Sequence, residues 1–201
     1  MPRNENTAIT IVQKDIKGKV FECSEGLSFW GGVDPNTGRI IDINHPNHGS
    51  FISKKFLLMP TSRGSCSGSG VLLQLAQSEI APAALIFHET EEILTLGAIV
   101  ADQLFDKQVA VLRVSKEIYN DLAMADTAEI FRNKLMFGSK IIKLKKLDIE
   151  TLHLSSKDQS ILNGERGAAQ QIAMETICKM ARIQNAKELI GITKGHIAGW
   201  I

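Results

Sequence analysis

Apolar residues follow two rhythms along this chain, and the change falls near Pro60. Before it they come in short runs: Val20-Phe21, Leu27-Ser28-Phe29-Trp30, Arg39-Ile40-Ile41-Asp42 and Phe56-Leu57-Leu58-Met59. Turn-forming clusters separate them: Gly31-Gly32, Asp34-Pro35-Asn36-Thr37-Gly38 and His45-Pro46-Asn47-His48-Gly49. Proline presets φ at one corner of such a turn and glycine accepts positive φ at its exit. Runs of this length between such clusters predict a small β-rich layer or barrel.

After Pro60 the period lengthens. A Gly/Ser stretch leads into Val71-Leu72-Leu73-Gln74-Leu75-Ala76, which predicts a helix, and an apolar strand follows over 83–87. Ile93, Leu94, Leu96, Ile99, Val100 and Leu104 then recur at near-helical spacing. Thr90, Glu91 and Glu92 suit the start of that helix, where the dipole favours negative charge. Another apolar strand covers 109–114. Strand, helix, strand, helix, strand is the order of parallel βαβ units. Over 116–147 the pattern weakens to a short helix at 117–122 and a strand at 141–144. The expected fold of residues 1–147 is an α/β domain, a β-rich layer or barrel joined to βαβ units.

A second change comes at Asp148. Ser156 and Gln159 form a capping box, and a long helix then carries Ile172, Met174, Ile177, Met180 and Ile183 as a buried stripe. A strand over 188–192 follows, with His196 just past its end. One helix and one strand cannot bury their own apolar faces. Residues 148–201 are therefore expected to be an incomplete α/β segment that opens a larger domain.

Composition narrows the partners. The 201 residues carry a formal net charge of +1, which gives no global electrostatic reason to expect nucleic acid. Lys140, Lys143, Lys145 and Lys146 form a basic stretch without interleaved aromatics on which bases could stack, so it reads as a solvated face or linker. No apolar run approaches the roughly 20 residues that span a bilayer, and the N-terminus lacks a signal-peptide core. The expectation is a cytoplasmic protein with neither membrane nor nucleic-acid partners. Cys23, Cys66 and Cys178 are scattered, odd in number and not paired in a CxxC, so neither a disulfide framework nor a metal site is expected.

The segment 59–70 concentrates the chemistry. Its glycines let backbone approach a ligand, and the following helix N-terminus supplies unpaired N–H groups and partial positive charge, an anion site. Arg63 adds a fork suited to a carboxylate. The P-loop ending Gly-Lys-Ser/Thr is absent, and Gly64, Gly68 and Gly70 do not fit the Rossmann spacing. A serine here would become a strong base or nucleophile if positive charge offset its alkoxide. A Gly-x-Ser-x-Gly elbow with a triad is not legible, which disfavours acyl transfer. By themselves these residues suit a helix-capping turn as well as a catalytic loop.

The motif Phe29-Trp30-Gly31-Gly32-Val33-Asp34-Pro35-Asn36-Thr37-Gly38-Arg39-Ile40-Ile41-Asp42, followed by His45-Pro46-Asn47-His48-Gly49, resembles the small swivelling domain of the aconitase X family. Arg63-Gly64-Ser65-Cys66-Ser67-Gly68-Ser69, Ala81-Pro82-Ala83-Ala84 and the run from Ile93 to Ala101 extend the likeness. Leu162-Asn163-Gly164-Glu165-Arg166-Gly167, Ala173-Met174-Glu175 and Gly195-His196-Ile197 resemble the opening of the family's large catalytic domain. Small domain before large on one chain resembles the fused form of the enzyme.

The resemblance implies a swivelling β/β/α fold and a hydro-lyase that eliminates water from a small hydroxy acid with help from an iron–sulfur cluster. The substrate implied for fused members is cis-3-hydroxy-L-proline. The alternatives are a mevalonate 5-phosphate dehydratase component and a non-catalytic binding or regulatory module. The cluster's ligands would lie outside this chain, in the large domain that partners the small one. By the same resemblance Ser65 is the base, and Arg63, Gly64, Ser67 and Gly68 hold the loop or the substrate's anionic group. His45, His48 and Cys66 are further candidates, although the histidines equally suit turn stabilisation. Asp34 and Asp42 are expected to cap turns, and Trp30 to anchor packing. Thr61-Ser62 stands where the family often has glycine, and Cys66 where it often has serine.

Overall fold

The computed structural model describes residues 8–147. The chain runs through β1 (Ala8–Val12), β2 (Ile16–Glu22), β3 (Phe56–Leu58), α1 (Ser67–Gln77), β4 (Ala84–Phe87) and α2 (Ile93–Phe105). It continues through β5 (Ala110–Val114), α3 (Lys116–Ala123), β6 (Thr127–Phe131), β7 (Lys134–Phe137), β8 (Lys140–Lys143) and β9 (Lys145–Lys146).

Unbroken apolar runs make β3 and β4 strands that are buried on both faces. Together with β5 they pair in parallel, joined by α1 and α2, as the βαβ pattern predicts. Successive residues point to opposite sides. Leu57, Leu85 and Val111 enter a core shared with the two helices. Phe56, Leu58, Ala84, Ile86, Ala110 and Leu112 enter a second core, closed by Ile118, Tyr119 and Leu122 of α3 and by the β6–β7 hairpin. The strand order is β8-β7-β6-β2-β3-β4-β5-β1-β9. Leu144 alone separates β8 from β9, which stand at opposite ends of that order, so the sheet curls into a nearly closed barrel. The expected swivelling α/β architecture is what the molecule has.

Several local expectations change. Leu27-Ser28-Phe29-Trp30 keeps a strand's alternation, with Leu27 and Phe29 buried, but forms only a single bridge, Ser28 to Arg63. Both neighbours of β3 are already taken by β2 and β4, which leaves no edge for it. Arg39-Ile40-Ile41-Asp42 likewise makes isolated bridges, Val33 to Ile40 and Arg39 to Phe51. Residues 23–55 are thus a long excursion between β2 and β3, folded by its own turns. Asp34 accepts the Asn36 N–H and the Thr37 hydroxyl, and Asp42 accepts the Asn44 N–H, as turn caps should. Those donors hold the Asp34 carboxyl below its ordinary range, the Asn36 N–H foremost. Trp30 is not a packing anchor: it is 59% exposed, because Phe29 takes the inward position beside it. Strands β1, β6, β7 and β9 add to those expected from the sequence. The capping box at Ser156, the stripe through Ile172, the strand at 188–192, His196 and Cys178 lie outside the described residues.

Candidate active site

The Gly/Ser segment after β3 is shorter as a loop than its composition suggests, because α1 begins at Ser67, not Val71. Serine and glycine are weak helix formers, and packing overrides that weakness here. Ser69 is fully buried and donates its hydroxyl to the Ile93 carbonyl at 2.6 Å. A Cβ on Gly97 would lie 2.9 Å from the Ser69 Cα, so α1 and α2 meet almost backbone to backbone. The loop proper is residues 59–66.

Its entry is stitched to the segment before α2. The Pro60 carbonyl accepts the Glu89 N–H at 3.0 Å, and the Thr61 hydroxyl donates to the Thr90 carbonyl at 2.8 Å. The central fastener is Glu91, only 6% exposed. Its carboxylate accepts the Leu94 N–H at 2.7 Å, the Thr95 N–H at 2.8 Å, the Thr95 hydroxyl at 2.7 Å and the Ser62 hydroxyl at 2.5 Å. One acid thereby satisfies the α2 N-terminus and fixes the residue just before Arg63. Its helix-start role is foreshadowed in the sequence; its partner Ser62, 29 positions away, is not.

Arg63 faces the other wall. Its N–H donates to the Leu27 carbonyl at 3.2 Å, its Nε donates to the Gly26 carbonyl, and its terminal nitrogen lies 3.5 Å from the Glu25 carboxylate. The guanidinium, half exposed, holds the loop against the excursion. Gly64 turns the chain at φ +103, where a Cβ would sit 2.6 Å from the Ser28 Oγ; only glycine fits that bend.

Ser65 follows the bend, partly buried at the N-terminus of α1. Its Oγ accepts the Ser67 N–H at 3.4 Å, and its carbonyl accepts the Gly68 N–H at 3.0 Å. Cys66, at the N-cap, offers no side-chain cap bond to the helix. The Ser65 oxygen thus sits where the Ser67 N–H and the helix's positive end favour negative charge on it. Arg63, Gly64, Ser65, Cys66 and Ser67 come together on this lip. Gly68 lies inward, buried with Ile93 and Phe29 over it, and its N–H is spent on the Ser65 carbonyl.

His45 and His48 bond within their own turn. His45 is buried at 3% exposure, and its Nδ1 accepts the Asn47 N–H at 3.1 Å. The proton therefore sits on Nε2, which has no hydrogen-bond partner. His48 Nδ1 lies 3.1 Å from the Asp42 carbonyl.

The described residues do not fit an iron–sulfur cluster: they contain no group of three or more His, Cys, Asp or Glu arranged to hold a metal. Cys23 is a core residue. Burial, and secondarily the charge of Glu22, pushes its thiol up to about 12. At pH 8 its thiolate fraction is about one part in ten thousand. Iodoacetamide should accordingly leave Cys23 unmodified in the native protein and alkylate it after denaturation, as read by peptide mass spectrometry. Rapid labelling of the native protein would contradict the burial.

Among the described residues no helix is long and apolar enough to cross a membrane. Residues 5–137 match the family model for the aconitase X swivel domain, and residues 151–201 match that for the aconitase X first domain. The chain is 37% identical, over its whole length, to a cis-3-hydroxy-L-proline dehydratase of Hypocrea jecorina, and it spans 36% of that relative. It is 52% identical over 85 residues to the phosphomevalonate dehydratase small subunit of Methanothermobacter thermautotrophicus, covering 42% of this chain and 65% of that one. The crystal structure of Thermococcus kodakaraensis aconitase X is 31% identical with a TM-score of 0.51, covering 61% of this chain and 86% of that chain. The swivel-domain match alone takes in more than half of the sequence, and the barrel and serine loop described above lie within it, so this chain belongs to the aconitase X family.

Proposed function

We propose that this chain is the swivelling domain and the opening of the large domain of a hydro-lyase, with the boundary at 147/148, and that the substrate is cis-3-hydroxy-L-proline. The observation carrying the substrate is the continuity of the likeness. The relative named for that activity is matched along 100% of the chain, through both segments. The phosphomevalonate dehydratase small subunit of Methanothermobacter thermautotrophicus is matched along 42% of the chain and that of Methanopyrus kandleri along 65%, neither along the whole of it.

In this reading Ser65 acts as the base. Its alkoxide takes the proton from the carbon bearing the carboxylate, and that electron pair forms the new carbon–carbon double bond. The neighbouring hydroxyl leaves with its bonding pair and departs as water on taking a proton from solvent, and Ser65 gives the abstracted proton back to solvent to regenerate its alkoxide. The Ser67 N–H and the α1 N-terminus stabilise the charged oxygen before transfer. Glu91 and Arg63 keep the loop in place through Ser62 and the excursion. The iron–sulfur cluster implied by the family resemblance belongs to the large domain, and the reducing cytoplasm is the compartment that suits both the cluster and the thiol of Cys23.

The full-length enzyme should dehydrate cis-3-hydroxy-L-proline and leave mevalonate 5-phosphate unchanged. Turnover of the phosphate ester alone would move the protein to the second activity, which the 52% identity over 85 residues favours. Turnover of neither by enzyme with its cluster reconstituted would leave the non-catalytic binding module.

A further inference from the structure

The serine loop leaves the carboxyl end of β3, and a cavity of about 590 Å³ opens at the other end of the same strands. Its lining comes from the start of β2 and from the residues just before β3, β4 and β5, which run parallel to one another. Lys14, Lys17, Lys54 and Lys107 line it together with Glu79 and Asp106. Four non-glycine residues among the described ones have positive φ, and three of them belong to this lining: Lys54 at φ +56, Glu79 at φ +60 and Asp106 at φ +52. A left-handed residue carries strain that glycine would avoid. Glu79 and Asp106 also stand at the C-terminal ends of α1 and α2, where the dipole disfavours negative charge. The backbone is pinned at each position. The Ala81 carbonyl accepts the Lys54 N–H at 2.9 Å, the Ala76 carbonyl the Glu79 N–H at 3.1 Å, and the Ala101 carbonyl the Lys107 N–H at 2.9 Å. Charged side chains thus hold three positions around one cavity where glycine would be the more stable choice.

The charges around it do not cancel. Lys107 Nζ lies 3.1 Å from the Glu79 carboxylate, and Lys17 Nζ lies 3.6 Å from Glu129. Among the described residues Lys14 and Lys54 are in no ion pair, and Lys14 Nζ donates to the Gln108 carbonyl at 3.0 Å. The Glu79 carboxyl is held below its ordinary range, by the Lys107 hydrogen bond foremost, and the charges of Lys54 and Lys14 reach it too. Three ammonium groups therefore converge on one carboxylate, and the exposed Asp106 is the one other acid on the lining among the described residues. The described lining contains no arginine. Lysines act as point charges with rotatable donors, which suits a tetrahedral phosphate better than a planar carboxylate. Ile16, Pro82 and Val109 add an apolar wall.

We propose that this cavity binds a small phosphate monoester, its phosphate held by Lys14, Lys54 and Lys107 and its carbon chain against Ile16, Pro82 and Val109. The site lies at the opposite end of the parallel strands from Ser65, so it is separate from the dehydratase reading and stands whichever hydroxy acid is turned over.

Calorimetric melting of the full-length enzyme in propyl phosphate, with ionic strength fixed by potassium chloride, tests this. The melting temperature should rise saturably with propyl phosphate. No rise, or the same rise from potassium chloride alone, would overturn the proposal. Inorganic phosphate and glutarate should each bind more weakly, the first for want of a carbon chain and the second for want of a tetrahedral head. Binding of either as tight as propyl phosphate would overturn the monoester assignment. Lys54→Asn removes the ammonium and keeps a residue that tolerates the left-handed backbone. It should weaken binding about tenfold or more while melting, without ligand, at or above wild type. Lys14→Gln, which carries no backbone strain, should weaken binding to a similar degree. Arg132→Asn is the charge control: it is the fourth positive-φ position, at φ +53, and lies off the cavity, so this variant should bind like wild type. Equal weakening in all three variants would reduce the effect to net charge and overturn the site. Unchanged binding in Lys54→Asn and Lys14→Gln would place the anion elsewhere, the serine loop first, and would overturn it as well.

Discussion

Ser65→Ala in the full-length enzyme should lower kcat by about two to four orders of magnitude with KM nearly unchanged. The expectation follows from what the hydroxyl touches. Ser65 Oγ receives one long N–H contact, 3.4 Å from Ser67, so removing it costs the fold little, about 0.5 to 1 kcal/mol at most. The residue is partly buried on a lip and packs no core. A large loss of rate without a matching loss of melting temperature would place the hydroxyl in the chemical step. Near wild-type turnover by Ser65→Ala would make another residue the base, with Ser67, whose N–H faces the same oxygen, the next to test.

Arg63 supplies the contrast within the same experiment. Its guanidinium contacts the Gly26 carbonyl and the Glu25 carboxylate, and its exposed pairing with Glu25 is worth little by itself. Arg63→Ala should raise KM as well as lower kcat, because the Gly64 bend loses its tie to the excursion and a carboxylate partner is lost. Arg63→Lys should restore part of the effect only, since an ammonium cannot present a planar fork.

What could be read from the sequence was local in the chain. Ser65, Ser67 and the α1 N-terminus lie within three residues, and the anion-binding character of 59–70 follows from that proximity. The βαβ rhythm of β3 to β5 is equally local, carried by runs that are buried on both faces. What escaped depends on distant partners. The β6–β7 turn has no glycine; Arg132 adopts φ +53 there, and its N–H is held by the Asp15 carboxylate at 2.6 Å, 117 positions away. The start of α1 at Ser67 depends on Ile93 and Gly97 of the neighbouring helix, against the propensity of Ser67-Gly68-Ser69-Gly70. The strand-like alternation at 27–30 was real, but β3 had no free edge to receive it.

Glu91→Ala should be the most damaging single change to the fold near the site, lowering stability by about 3 to 5 kcal/mol. The carboxylate accepts four hydrogen bonds in a 6% exposed position, and alanine would leave the Leu94 and Thr95 N–H groups without their acceptor at the start of α2. Each buried donor so stranded costs about 1 to 3 kcal/mol, and entering water recovers part of that. With about 2 to 4 °C per kcal/mol for a domain of this size, the melting temperature should fall by about 6 to 20 °C in calorimetry. Glu91→Gln should be milder, about 1 to 2 kcal/mol, because the amide keeps one acceptor while its NH2 end faces a donor. Added salt should not rescue either variant, since these are hydrogen bonds in a buried pocket and not a screened surface pair. Turnover should fall along with stability in Glu91→Ala even below its melting temperature, because Ser62 loses the partner that seats the residues before Ser65. Melting within about 1 °C of wild type would mean that the α2 N-terminus is satisfied without Glu91, and that the serine loop is held by Arg63 and the excursion alone.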